Sequence, residues 1–113
     1  MSFALTTPQI LAQTKTVTRR IGWKTAKVGD VVQPIEKGQG LKKGETVRRL
    51  GCPIRFTAVD RVVLGDITPQ DVYREGFPQM TARAFVEFFK AANGGLKGQI
   101  VTRLQFEYLE PKA

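Results

Sequence analysis

The stretch Ile100-Val101-Thr102-Arg103-Leu104-Gln105-Phe106-Glu107-Tyr108 carries the clearest periodicity in the chain. Ile100, Thr102, Leu104, Phe106 and Tyr108 alternate with Val101, Arg103, Gln105 and Glu107, which gives one mainly apolar face. Successive side chains of a strand point to opposite faces, so the pattern predicts a half-buried closing strand. The rest of the chain has to cover that face.

Upstream of it, Asn93-Gly94-Gly95 ends a helix that begins at Thr81. Phe85, Phe88, Phe89 and Ala92 fall on one side of that helix, and Met80 is placed to staple against Phe85. We read this stripe as core packing in preference to base stacking. Thr68-Pro69-Gln70-Asp71 starts another helix, with Thr68 as cap, Pro69 in the first turn and Asp71 three residues after the cap. It should end near Glu75-Gly76. Ile54 to Leu64 reads as a long strand, and Val28 to Ile35 as a shorter one entered through Gly29-Asp30. Thr14 to Arg20 is extended. Thr7 looks like a cap before Pro8, opening a short helix through Gln13, and Ser2 to Leu5 is a candidate short strand. Helix, strands, two helices and a closing strand make an α+β chain: a small mixed barrel or strongly bent sheet with helices outside. Consecutive βαβ units are missing, which argues against a doubly wound sheet.

Composition bounds the function. The 113 residues suit one domain, residues 1–113, and 42% hydrophobic with 25% charged residues is an ordinary globular balance. Cys52 is the only cysteine and histidine is absent, so a disulfide framework and His/Cys zinc sites are excluded for a monomer. No Asp/Glu cluster invites Mg²⁺, and no cofactor or metal is expected. No apolar run approaches the roughly 20 residues of a membrane span, and Met1 to Leu5 lacks the features of a signal peptide. The expectation is a cytoplasmic protein with no membrane partner.

The net charge of +8 is unevenly placed. Lys15 to Arg61 holds twelve Lys/Arg against four Asp/Glu, and the remainder six of each. Phosphate-bearing partners are the simplest reason for such a basic half, with a solvated basic face as the alternative. Glu36 to Gly51 carries four of the eleven glycines and five Lys/Arg, and reads as a long basic loop or a mobile hairpin. Within it Lys42, Lys43, Arg48 and Arg49 are candidate phosphate contacts or solvated loop residues.

An ordered series of motifs points further. Lys15-Thr16-Val17-Thr18-Arg19-Arg20 follows the first helix, Val28-Gly29-Asp30 comes about ten residues later, and Val59-Asp60-Arg61-Val62 leads into Ile67-Thr68 and then Glu75-Gly76-Phe77. The series resembles the ASCH domain, a branch of the PUA-like superfamily, over nearly the whole chain. The resemblance implies a small PUA-like β-barrel with flanking helices and a basic cleft for RNA or a modified nucleoside. Some small bacterial members are amidohydrolases that remove the acetyl group from N4-acetylcytidine. Carried over residue by residue, their catalytic group becomes Lys15, Thr18 and Glu75, with Arg20 as a basic neighbour. The chain departs from them in its basic Glu36–Gly51 insertion and in Ile21-Gly22-Trp23 after Arg19-Arg20.

Amide hydrolysis needs a nucleophile, an acceptor for its proton and a donor for the departing nitrogen. Without histidine, Lys15 can act as base only with a depressed pKa, which burial or the nearby charges of Arg19 and Arg20 can produce. Thr18 would then attack, Glu75 would orient the cytosine amine or move a proton to it, and Arg20 would stabilise the oxyanion. Strand geometry sets a condition. Lys15 and Thr18 are oddly spaced, so Lys15 has to lie in the turn before the strand, or a bulge has to intervene. Trp23 lies among Arg19, Arg20, Lys24 and Lys27, as a base-stacking residue does or as a cover over the barrel mouth does. Two classes of function stay open: an RNA- or nucleotide-binding module, and an acylcytidine amidohydrolase.

Overall fold

A computed structural model describes residues 1–37, 46–95 and 100–111. In chain order the elements are α1 (Thr7–Leu11), β1 (Val17–Arg20), β2 (Val31–Val32) and β3 (Ile54–Val63). A 3-10 turn (Leu64–Asp66), α2 (Pro69–Arg74), α3 (Ala82–Ala92) and β4 (Ile100–Tyr108) follow. The four strands form one antiparallel sheet in the order β1-β4-β3-β2, curled into a half-barrel with the short helices against it. This is the small α+β architecture that the closing strand and the element order predict.

The half-barrel takes its shape from β3 and β4, which pair from Ile54↔Tyr108 to Val63↔Ile100 with a register shift between Phe56 and Ala58. An extra residue in one strand of an antiparallel pair bends it and reverses the parity of its side chains. Before the shift, Ile54 and Phe56 oppose Tyr108 and Phe106; after it, Val59 opposes Leu104. The shift therefore lets one strand feed two cores. Phe3, Ile10, Leu50, Ile54, Phe56, Leu104 and Phe106 build the first core on the concave side. The second core joins Leu64, Ile67, Val72, Phe85, Phe89 and Val101 under α2 and α3. Fully burying a side chain such as Phe56 or Phe85 stabilises by about 1.5–3 kcal/mol, so each cluster holds its own elements.

The alternation in β4 is consequently two-sided. Val101, on the face expected to be polar, is fully buried beneath α3, and Ile100, on the face expected to be apolar, is exposed. The helices cover the second face at that end of the strand. The other corrections are local. Thr6, not Thr7, is the N-cap of α1, and neither caps with its side chain, because Thr7 Oγ1 donates back to the Phe3 carbonyl at 3.0 Å. α1 stops at Leu11, and Gln13 takes a left-handed φ of 59°. Ser2–Leu5 is not a strand: Ser2 makes one isolated parallel bridge to Ile35. Thr68 and Thr81 cap α2 and α3 as read, accepting from the backbone N–H of Asp71 and Ala84. Where the basic Glu36–Gly51 stretch leaves and rejoins the fold, Ile35 and Arg49 form an antiparallel bridge and Glu36 N–H donates to the Arg48 carbonyl, while the loop or hairpin expected between them lies mostly outside the described residues.

Candidate functional site

Among the described residues β1 is an edge strand, paired with β4 alone. Cross-strand partners share a face, so the register Thr18↔Leu104 and Arg20↔Thr102 turns Thr18 and Arg20 to the concave side. Arg19↔Arg103 turns those two arginines toward α2. A cavity of about 400 Å³ runs around this open edge and is lined by Thr18, Arg19 and Arg20 together. Lys15 lies ahead of the strand, with its backbone N–H directed to the Gln9 carbonyl at 3.4 Å. The chain segment before β1 thus delivers Lys15 to the same cavity as Thr18 in spite of their odd spacing.

Glu75 enters from the C-terminal end of α2. Gly76, at a φ of +102°, makes the turn there that L side chains rarely make, and a Cβ on it would lie 2.9 Å from Gln9 Cγ. Lys15 and Glu75 are each only 3% exposed. Lys15 Nζ donates to Glu75 Oε1 at 2.9 Å and to the Glu75 carbonyl at 2.8 Å. The second contact supplies a donor to a helix C-terminal carbonyl, where a cation is also favoured by the helix dipole. Arg19 donates to Glu75 Oε2 at 3.1 Å and pairs with Asp71 Oδ2 at 2.7 Å. Arg103 grips Asp71 from the sheet, at 2.7 Å through Nε and 2.8 Å through Nη2. A continuous chain of charge, Lys15–Glu75–Arg19–Asp71–Arg103, therefore links the cavity to the centre of the sheet.

The electrostatics follow from burial and pairing. Burial pushes the Lys15 amine below its ordinary value; Glu75 opposes this by charge and hydrogen bond, and Arg20 and Arg19 reinforce it. Hydrogen bonds from Arg103, then from Arg19, hold the Asp71 carboxyl well below the usual carboxylate range. Burial lowers Arg20 to about 10, against the pull of Glu75. Arg20 Nε donates to Thr18 Oγ1 at 3.1 Å, and its guanidinium lies over the Phe3 ring, 4.6 Å from the centroid. A donor on the threonine oxygen favours the deprotonated hydroxyl. Nζ of Lys15 is engaged with Glu75 and makes no hydrogen bond to Thr18 among the described residues.

The remaining wall is apolar. Phe77, Phe85, Phe88 and Phe89 line the cavity from α3 and the loop before it, and the segment Ser2 to Thr6 closes another side. Phe85 and Phe89 are buried in the second core, so the stripe does pack; Phe88, half-buried and 5.3 Å from Phe77 between centroids, presents to the cavity as well. Trp23 stands at the rim with a left-handed φ of 52° and its ring edge-on to Phe56 at 6.4 Å. The turn that carries it is tied down by Thr102 Oγ1, which donates to the Gly22 carbonyl at 2.5 Å.

Lys15, Thr18, Arg19, Arg20, Trp23 and Glu75 thus meet at one cavity. Arg48 and Arg49 do not line it: both are exposed, and Arg48 pairs with Glu36 at 3.0 Å. Lys42 and Lys43 lie outside the described residues. Sequence reasoning missed Asp71 and Arg103. Asp71 reads as a capping residue, yet its carboxylate turns to the sheet arginines. The available signal was the i, i+4 spacing of Asp71 and Glu75, which puts two carboxylates on one helix face. Among the described residues no group of three His, Cys, Asp or Glu could hold a metal ion, and no helix is long and apolar enough to cross a membrane. Compared with family models, curated proteins and solved structures, the chain matches none.

Proposed function

We propose that the cavity receives the base of a modified cytidine and that Lys15, Thr18 and Glu75 make it a site of amide hydrolysis on an N4-acylated cytidine. The observation that carries this reading is the meeting of a buried lysine, a threonine hydroxyl and a buried glutamate in one cavity of about 400 Å³. That volume lies in the range of about 300–1,000 Å³ typical of small-ligand sites. The ASCH-like order of the motifs supports the same reading.

Thr18 Oγ forms the bond to the acyl carbon and loses its proton to a neutral Lys15 amine. The carbonyl electrons pass to oxygen, where Arg20 is the nearest donor already bonded to Thr18. Collapse breaks the C–N bond, the nitrogen leaves with the proton that Lys15 took from Thr18, passed directly or through Glu75, and water then cleaves the acyl-threonine ester to release the acid. The substrate has to draw Lys15 away from Glu75 for the first step, since Nζ is engaged with that carboxylate. Incubating the purified chain with N4-acetylcytidine and following cytidine and acetate tests the reading; no product from any N4-acylated cytidine rejects it.

A second reading, an RNA-binding module, is favoured by a separate observation: exposed Lys24, Lys27 and Arg49 lie outside the buried network. Replacing Lys42, Lys43, Arg48 and Arg49 by Ala would then weaken RNA binding and flatten its salt dependence. An unchanged affinity means that these residues are merely solvated.

A further inference from the structure

The buried network is not neutral. Lys15, Arg19, Arg20, Arg74 and Arg103 face two carboxylates, Asp71 and Glu75. Asp60 approaches Arg103 at 4.0 Å from the exposed side, and Arg74 is itself about half exposed and reaches water. Among the described residues Arg20 pairs with no carboxylate; Nε is held by the Thr18 hydroxyl, one face by the Phe3 ring, and Nη1 and Nη2 have no partner. A guanidinium fixed on one edge and one face, beside an aromatic wall, presents its two remaining nitrogens as a ready fork for oxyanions.

We propose that Arg20 is a phosphate-binding residue, and that the cavity takes a ligand with a phosphate on the outer N–H groups of Nη1 and Nη2, which leaves the edge beside Nε and Thr18 for the oxyanion, and with a flat ring against Phe77, Phe88 and Trp23. Resting on the cytidine reading, this makes the substrate class a nucleotide in preference to a nucleoside. Arg20 is half-buried and feels Glu75 only at a distance, so an anionic ligand in direct contact supplies charge compensation that the protein leaves incomplete. A neutral nucleoside does not supply it.

Binding of cytidine, of its 5′- and 3′-monophosphates and of a short cytidine oligoribonucleotide is measured by calorimetry at fixed ionic strength. Inorganic phosphate is added as a thermal-shift ligand against matched chloride. Wild type, Arg20→Met, Arg20→Lys and the exposed control Arg55→Met are compared. We expect one monophosphate to bind wild type at least tenfold more tightly than cytidine. Arg20→Met should lose the difference, Arg20→Lys retain part of it and Arg55→Met all of it. Phosphate should raise the melting temperature of wild type beyond that of Arg20→Met. A mononucleotide that binds as tightly as the oligonucleotide identifies the free nucleotide as the source of the phosphate; a much tighter oligonucleotide identifies the RNA backbone. Equal affinity of wild type for cytidine and both monophosphates overturns the proposal, a result that holds even if Arg20→Met does not fold. A phosphate response undiminished in Arg20→Met overturns it too. A response confined to wild type, with no cytidine compound bound, keeps the phosphate site and removes the cytidine reading instead.

Discussion

Lys15 Nζ is bonded twice to the same residue, to the Glu75 carboxylate at 2.9 Å and to the Glu75 carbonyl at 2.8 Å. The two contacts do different work: the carbonyl contact finishes the end of α2, and the carboxylate contact compensates a buried charge. Glu75 serves Arg19 as well, at 3.1 Å. Removing the glutamate charge therefore leaves Lys15 without its carboxylate and Arg19 dependent on Asp71, whereas removing the lysine leaves Glu75 paired with Arg19. Breaking a buried pair from one side costs about 3–5 kcal/mol. Glu75→Gln should fall in that range and Lys15→Met below it, by urea unfolding at one pH. Equal losses, or the reverse order, contradict this hierarchy.

Asp71 sets the acid limb of stability. Its carboxyl is held below its ordinary value in the folded state, first by the hydrogen bond from Arg103. The folded chain then binds fewer protons than the unfolded chain near pH 4, so this contribution is present above that pH and is lost as the pH falls below it. Asp71→Asn should lower stability at pH 7 and flatten its fall between about pH 4 and pH 2. An acid limb of unchanged slope would assign that fall to other carboxylates.

The long strands β3 and β4, helices α2 and α3 and the caps of those two helices were legible because periodicity and capping act over a few residues. Thr68 and Thr81 accept from Asp71 and Ala84 as their spacing requires. What local pattern could not reveal was produced by tertiary covering. Val101 is buried because α3 lies over its face, and the Asp71 carboxylate turns from the helix end to Arg103, thirty-two residues away. The meeting of Lys15 and Glu75 follows from no spacing, being sixty residues apart; only the family-like order of the motifs brought them together. Phe77 and Phe88 form cavity wall because the edge of β1 is open, a consequence of strand order that no local pattern carries.

Gly76 tests how tightly the end of α2 is built. An Ala there meets both a disfavoured φ of +102° and a contact of 2.9 Å to Gln9 Cγ, with Lys15 Cβ at 3.5 Å. At Gly94, with a φ of +74°, an added Cβ would have nothing within 4 Å, so an Ala there carries backbone strain alone. Strained backbone costs on the order of 1–3 kcal/mol. Gly76→Ala should exceed Gly94→Ala in lost stability, by thermal or urea unfolding, and only Gly76→Ala should disturb ligand binding in the cavity.

Turnover of an N4-acylated cytidine should depend on Lys15 and Thr18 as a unit. Lys15→Ala and Thr18→Ala should each remove nearly all of it, because Thr18 supplies the attacking oxygen and Lys15 takes its proton. Residues that act as one unit lose activity non-additively, so the double variant should be little worse than either single one. Thr18→Ser keeps the hydroxyl and should retain part of the activity. The rate should rise with pH as Lys15 loses its proton, with a midpoint below about 10.4, since burial lowers that amine. The same shift acts on stability with a definite sign. Between the lowered folded value and the unfolded one, the unfolded chain binds more protons, so this lysine's contribution to stability also rises with pH across that window. Lys15→Met should abolish both slopes together, and that coincidence separates a proton acceptor from a lysine that only holds the end of α2. Full turnover in Lys15→Ala eliminates the mechanism.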